Sequence, residues 1–539
     1  MSLPTAHEDT FARDHLPAPE AWPDFLFELP ELQYPDRLNA AAELLDRHIR
    51  SDDGNRAALI FEDRQWSYAQ LADKASQIAN VLVRDMGLVP GNRVLLRGFN
   101  NPMMVAAWFA VLKAGGIAVA TMPMLRARDL DPIVEKAQIS HALCDERLAD
   151  DLEKVAASRD CLAERGYFTA LGDGGTPFDK LVARRSKKFD PLPTLSDDVA
   201  LIAFTSGTTG KPKGTVHFHR DIMSMCHCVG RGLLGLKAED RVIGSPPIAF
   251  TFGLGALVTF PLQAGAASIL LENGTPPNLA RAIEQYRATW CFTAPTAYRA
   301  ILGEIGGVDL SSLKNCVSAG EHLPLPVFED WKKATGISLI NGLGSTEMIH
   351  IFISAAGKEI RPGATGKAIR GYEARVVDER MQDVPVGETG KLAVRGPTGC
   401  RYLEDERQKV YVRDGWNLTG DAYRMDQDGY FWFMARTDDL IVSSGYNISG
   451  PEVEEVLLSH PAVRECAVVG VPDDKRGQIV KAFVVPAEPY QGCSKLVLAL
   501  QDHVKEHIAP YKYPREVAFL DSLPKTETGK IQRFKLKEL

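Results

Sequence analysis

Short β-branched runs alternate with amphipathic stretches over the first two-thirds of the chain, and the two periods separate residue by residue. Ala57 to Phe61 predicts a strand. Ser67-Tyr-Ala-Gln70 predicts a capping box opening a helix with Leu71, Ala75, Ile78 and Leu82 on one face. Arg93 to Leu96 follows as a strand, a helix from about Pro102 runs to Gly115-Gly116, and Ile117 to Ala120 returns as another strand. Further on, Val199 to Phe204, Ser268 to Leu271, Cys291 to Ala294, Asn315 to Ser318 and Ile337 to Ile340 predict strands, with helices near Leu279 to Gln285 and Pro324 to Lys333. Strands alternating with helices imply mostly parallel sheets covered on both faces, with ligands outside the carboxyl ends of the strands.

The texture changes twice. From about Gly371 the segments YEARVVDE, GKLAVRG and DGYFWFM read as short strands joined by Gly turns, a β-rich part. After a polar junction at Thr437-Asp438-Asp439 a small α+β unit is expected: helix Glu452 to Leu458, strands Glu465 to Val471 and Val480 to Val485, helix Lys495 to His507, strand Glu516 to Phe519. The expected division is therefore 1–436, with 371–436 its β-rich part, and 437–539.

Composition narrows the function. The chain of 539 residues is 45% apolar and 24% charged, ordinary globular values, and its formal charge of −8 gives no general attraction for nucleic acid or an anionic membrane. Any phosphate site must be local. Nine scattered cysteines fit reduced thiols in a cytoplasm, and the Cys226-His227-Cys228 cluster lacks a second ligand pair at zinc spacing. The start MSLPTAHEDTFARDHLP lacks a basic and then apolar leader, so a cytoplasmic location is expected. Val242 to Leu271 is uncharged and long enough to span a bilayer, but Pro246, Pro247, Pro261 and several glycines make it read as short buried elements joined by turns.

The densest chemical signal is FTSGTTGKPKG, Phe204 to Gly214, directly after a predicted strand. Its glycines, hydroxyls and lysines suit a loop whose backbone N–H groups cradle phosphate. A P-loop is excluded on spacing, because only two residues separate Gly207 from Gly210 and Pro212 follows Lys211. His219-Arg220-Asp221 resembles part of a kinase catalytic loop, but the downstream Asn and the Asp-Phe-Gly triplet are missing.

FTSGTTGKPKG resembles the phosphate loop of the adenylate-forming (ANL) superfamily, and further matches follow in the family's order: SAGE at 318–321, GLGSTE at 342–347, TGD at 419–421 with ARTDD at 435–439, and TETGK at 526–530. GLGSTEMIHIF, PPIAFTFGLG and the opening HEDTFARDHLPAPEAWPDF are most similar to the aryl-CoA ligase branch, the benzoate-CoA and 2-aminobenzoate (anthranilate)-CoA ligases.

The resemblance implies a large N-terminal α/β domain of two parallel-rich sheets plus the β-rich part, with a mobile C-terminal domain hinged near Asp438. It implies an enzyme that uses ATP, Mg²⁺ and coenzyme A. An acid is first converted to acyl-AMP and pyrophosphate, and a thiol then displaces AMP. Carried over by position, Thr205, Ser206, Gly207, Thr208, Thr209 and Lys213 meet phosphates, and Glu347 with Thr208 holds the metal. Gly320, Glu321, Asn341, Gly342, Leu343, Gly344, Ser345 and Thr346 border the nucleotide, while Asp421 and Arg436 take the ribose. Leu343 stands where a Tyr is common. Phe250, Thr251, Phe252, Gly344, His350 and Ile351 are expected to line the acid pocket, Phe252 and Ile351 as apolar walls, Gly344 leaving room, and His350 as a hydrogen-bonding and catalytic group.

On the small domain, Lys530 is expected to serve adenylation, and Ser444, Gly445 and Tyr446 to line the CoA tunnel after rotation. The expected acid is anthranilate first and benzoate second. Free CoA is favoured because no carrier domain follows Leu539; loading of a separate carrier protein is the alternative. A homodimer and a downstream acyl-transfer or carrier protein remain open as partners.

Overall fold

The structure is a computed structural model that describes residues 5–51, 53–206, 212–443, 446–473, 476–525 and 531–539. Two large sheets organise the N-terminal part. In the first, Lys367–Ala368, Ile351–Ser354, Leu339–Gly344, Asn315–Ala319, Trp290–Thr293, Arg241–Gly244, Ala267–Ile269, Ala57–Phe61 and Arg64–Ser67 lie side by side in that order. The six strands from Leu339–Gly344 to Ala57–Phe61 pair in parallel, and antiparallel partners close both edges. In the second, the order is Glu164–Phe168, His141–Asp145, Arg93–Arg97, Ile117–Thr121, Val199–Ser206 and Pro212–Phe218, parallel except for the last pair.

Helix Pro102–Lys113 is buried along its whole length, as its uniformly apolar sequence requires. Its one charge, Lys113, is neutralised by Asp46 at 2.8 Å. Helix Tyr68–Arg84 opens with the expected capping box: Gln70 N–H donates to Ser67 Oγ at 3.2 Å, and Ser67 N–H donates to Gln70 Oε1 at 2.8 Å. One large apolar core joins these helices to both sheets, which fixes the loops at the strand ends relative to one another.

The β-rich part is a five-stranded antiparallel sheet built from Glu373–Val377, Thr389–Arg395, Val412–Arg413, Trp416–Met425 and Phe431–Arg436. The C-terminal unit has its own sheet, with Val463–Asp473 antiparallel to Gly477–Pro486 and Glu516–Phe519 parallel to the latter, and its own core under helices Gly450–Leu458 and Ser494–His507. One turn of 3₁₀ helix, Thr437–Asp439, separates the two parts.

The uncharged stretch from Val242 to Leu271 is more regular than its prolines suggest. Between strands Arg241–Gly244 and Ala267–Ile269 it forms one helical run, 251–264, with Pro261 near the start of its final segment. Among the described residues no helix is long and apolar enough to cross a membrane.

Candidate active site

The stem of the phosphate-loop candidate in the second sheet and the turn after strand Leu339–Gly344 of the first meet at one site, where Lys213 Nζ stands 3.5 Å from Glu347 Oε1. Strand Val199–Ser206 brings the phosphate-loop candidate to its rim, and Pro212–Phe218 carries the chain away antiparallel, with Thr205 opposite Lys213. The turn itself, with Gly207, Thr208 and Thr209, lies outside the described residues, as does the Ser206 side chain. At the stem, Thr205 Oγ1 is buried and has no hydrogen-bond partner among the described residues. Lys213 Nζ donates to the Tyr402 hydroxyl at 3.0 Å and stands 3.5 Å from Glu347 Oε1. Tyr402 in turn donates to the same Glu347 oxygen at 2.5 Å.

Glu347 sits in a turn between strands Leu339–Gly344 and Ile351–Ser354, and four backbone groups of that turn are tied. Ser345 Oγ accepts from Met348 N–H at 3.2 Å, the Thr346 carbonyl accepts from Ile349 N–H at 3.0 Å and from His217 Nε2 at 2.8 Å, and the Met348 carbonyl accepts from Thr398 at 2.8 Å. Ile349 pays for this geometry with φ +64°, a left-handed conformation that a β-branched residue adopts only under constraint.

The next residue, His350, is fully enclosed. Its ring meets Phe260 edge-on at 4.6 Å and Phe252 at 5.7 Å between centroids. It rests against Gly255, where a Cβ would lie 2.4 Å from Cδ2 and Nε2. Neither ring nitrogen makes a hydrogen bond of good geometry. Burial pulls its pKa down to about 3, an effect the Phe252 backbone only partly offsets, so the ring is neutral near pH 7, with one donor and one acceptor.

Among its neighbours, Thr251 is buried and Phe252 packs against the main core, whereas Phe250 is half-buried and belongs to no apolar cluster of the described residues. Gly344 allows the returning strand to approach closely. A Cβ there would fall 2.8 Å from the His350 carbonyl group and 2.9 Å from Ile351 N, so the space belongs to the returning strand. Ile351 likewise packs on Gly342, whose missing Cβ would stand 2.4 Å from its Cδ1.

On the β-rich sheet Asp421 and Arg436 face each other on paired strands, Arg436 Nη1 donating to Asp421 Oδ1 at 2.8 Å. Burial raises the Asp421 pKa against the opposing pull of Arg436. The Asn341 carbonyl is already taken by Ser354 Oγ at 2.7 Å, and Leu343 packs half-buried on the main core. Gly320 turns the chain at φ +90° after strand Asn315–Ala319. Beyond half-buried Glu321, His322 stacks on Phe433 at 5.1 Å. The His322 pKa is held near 4 by burial first and then by Arg533 of the C-terminal tail, which brings the tail's face to this rim. Lys530, Ser444 and Gly445 lie outside the described residues, and so do the side chains of Tyr446 and Asp438. The C-terminal part meets the N-terminal part through Ser449, whose hydroxyl donates to the Met434 carbonyl, while Lys537 holds Asp439 of the junction at 2.9 Å.

Sequence reasoning missed the segment 401–402. It adds to the edge of the second sheet, Val216 N–H donating to the Arg401 carbonyl and Leu403 N–H to the Gly214 carbonyl, both at 2.8 Å. Arg401 and Asp221 form an ion pair with both side chains fully buried, and Asp221 also caps its helix by accepting from Phe218 N–H at 2.9 Å. His217 Nδ1 stands 3.8 Å from the same carboxylate while its Nε2 holds the Thr346 carbonyl. Asp221, the false kinase-loop residue, is thus structural. No motif marks Arg401 or Tyr402; only strand pairing brings them to the site.

Comparison with known proteins agrees with this geometry. Residues 45–401 match the AMP-binding enzyme family and residues 452–530 the AMP-binding enzyme C-terminal domain. The chain is 32% identical over 520 residues to a benzoate–CoA ligase of Thauera aromatica, covering 94% of this chain and 97% of the relative. It is 32% identical over 545 residues to the mitochondrial acyl-coenzyme A synthetase ACSM3 of Mus musculus, covering 96% and 92%. The crystal structure of the anthranilate CoA ligase AuaEII in complex with anthranoyl-AMP superposes with a TM-score of 0.89 at 33% identity, covering 95% of this chain and 98% of that one. With both family domains matched in order along the sequence, the chain belongs to the AMP-binding enzymes, the adenylate-forming superfamily that includes the CoA ligases.

Proposed function

We propose that the protein activates a small aromatic carboxylic acid with ATP and passes the acyl group to coenzyme A, with anthranilate the favoured acid and benzoate the next. The observation that carries the choice of acid is His350: an enclosed neutral imidazole between Phe252 and Phe260 whose ring nitrogens make no hydrogen bond of good geometry among the described residues. An unpaired buried polar group costs about 1–3 kcal/mol, which a ligand that completes the bond recovers. An aromatic acid with an ortho amino group supplies an apolar ring for Phe252 together with an acceptor and a donor for the imidazole. A fatty acid supplies no ortho group to meet it.

The site also suits magnesium. Glu347 and the unpartnered Thr205 hydroxyl are hard oxygen donors, the kind Mg²⁺ takes alongside phosphate oxygens. Glu347, with Thr208 from the loop, would hold it, and the ion would offset phosphate charge when bound. In the first step the acid carboxylate attacks the α-phosphate of ATP and pyrophosphate leaves. Thr205, Ser206, Lys213 and the N–H groups of the loop bind the phosphates and stabilise the charge that develops. Asp421 accepts the ribose hydroxyls, held in place by Arg436. Lys530 enters from the C-terminal domain for this step. In the second step that domain turns about Asp438, Ser444 to Tyr446 line the entry of CoA, and the thiolate displaces AMP from the acyl carbon.

The two domain matches, the CoA-ligase relatives and the anthranoyl-AMP-bound neighbour support this reading. Turnover of benzoate, anthranilate, salicylate and octanoate with ATP and CoA tests it. Anthranilate is expected to rank first; a preference for octanoate would refute the aromatic assignment. Thioester formed only on an added carrier protein, and not on CoA, would refute the CoA assignment.

A further inference from the structure

We propose that Tyr402 is a positioning residue of the nucleotide site, holding the phosphate-binding lysine and the metal-binding carboxylate back from a direct hydrogen-bonded contact. The inference rests on the roles proposed above for Lys213 and Glu347. The two form a loose ion pair at 3.5 Å, and closing to a direct hydrogen bond would tie up both groups that MgATP needs. The Tyr402 hydroxyl occupies the shared space. It accepts from Lys213 Nζ at 3.0 Å and donates to Glu347 Oε1 at 2.5 Å, so it satisfies one oxygen of the carboxylate and leaves the other for a metal. Its ring gives the ammonium a second weak attraction, 5.0 Å from the centroid.

The placement is well determined. Tyr402 is 1% exposed, bridges Thr215 on the neighbouring strand, and has its backbone N–H held by Gln408 Oε1 at 2.9 Å. The neighbouring Arg401, paired with Asp221, reaches the same turn through His217 and the Thr346 carbonyl. One short segment thus braces both the carboxylate and its backbone.

The substitution Tyr402→Phe removes a single oxygen and allows Lys213 and Glu347 to close. Titration calorimetry with MgATP and with metal-free ATP reads the effect directly. We expect MgATP affinity to fall by at least about tenfold, the worth of one hydrogen bond to a charged group, with a smaller change for metal-free ATP. Thioester formation from supplied aryl-AMP is expected to be affected far less, because aryl-AMP lacks the β- and γ-phosphates that the metal would bridge.

A second variant guards against a loss that is only structural. In a Lys213→Met background no cation remains for Glu347 to pair with, so adding Tyr402→Phe should cost little more. Fully additive losses, or wild-type MgATP affinity in Tyr402→Phe, would overturn the proposal. Failure of the wild-type protein to bind MgATP would overturn the nucleotide site itself, and this inference with it.

Discussion

Gly255 gives the sharpest handle on the acid pocket. It lies inside the helical run 251–264 with ordinary right-handed dihedrals, φ −60° and ψ −57°, so alanine is allowed there by the backbone. By helix propensity alone Gly255→Ala gains about 0.5–1 kcal/mol. The new methyl, however, would stand 2.4 Å from two atoms of the His350 ring and 2.9 Å from Phe260 Cζ, whereas ordinary contacts begin near 3.4 Å. Relief requires the imidazole to retreat by about 1 Å, and overpacking of this kind costs about 1–3 kcal/mol. The two terms nearly offset in stability and cannot offset in function, since a displacement of about 1 Å at a reacting group costs up to about a hundredfold in rate. The assay is pyrophosphate release with anthranilate and with benzoate, alongside calorimetric melting. The expected outcome is a kcat/KM for the acid lowered by about ten- to a hundredfold, a KM for ATP little changed, and a melting temperature within a few degrees of wild type. Unchanged acid kinetics, or equal losses for acid and ATP, would refute the placement of His350 in the acid pocket.

Other expectations follow from the buried charges. His219 and His350 both have pKa values near 3 in the fold because burial disfavours the cation, against about 6.5 when unfolded, so the unfolded chain binds more protons between those limits. Stability is therefore fully present above pH 6.5 and falls as the pH drops, by about 2 kcal/mol per histidine at pH 5. Melting at pH 7 and pH 5 should show a smaller difference for His219→Asn than for wild type, and an identical difference would contradict the assignment. Arg401→Ala leaves Asp221 as an uncompensated buried charge and is expected to cost about 3–5 kcal/mol in urea unfolding; a cost below about 1 kcal/mol would show that the pair is not desolvated. Asp421→Asn should raise the KM for ATP by about tenfold while leaving that for the acid unchanged, and equal effects on both would argue against a ribose contact. Lys530→Ala should abolish acyl-AMP formation yet spare thioester formation from supplied acyl-AMP; equal loss in both would contradict the domain-rotation account.

Local signals were legible where local physics decides. The capping box at Ser67 and Gln70, strand Ala57–Phe61 and strand Glu516–Phe519 stand where their patterns put them. The strand read as Ile337 to Ile340 instead runs from Leu339 to Gly344, because Gly342 and Gly344 look like turn residues but serve as close-approach points for the returning strand. Phe250 and Phe252 are chemically alike in sequence and both half-buried, and only the helix beginning at Thr251 turns Phe252, and not Phe250, onto the main core. The site motifs were visible because each is dense in Gly, hydroxyl and charge within a few residues. Tyr402 and the Arg401–Asp221 pair were not, since their meaning lies in partners far along the chain, 180 residues for Asp221, 189 for Lys213 and 55 for Glu347, brought together only by pairing across a sheet edge.

On the proposed mechanism, carboxylate activation precedes, and does not need, the thiol. Acid-dependent exchange of labelled pyrophosphate into ATP, measured without CoA, tests it most directly. We expect exchange to appear with anthranilate and magnesium alone, AMP to accumulate once CoA is added, and both to vanish when the acid is withheld. Exchange that requires CoA, or AMP release that is indifferent to the aromatic acid, would contradict it.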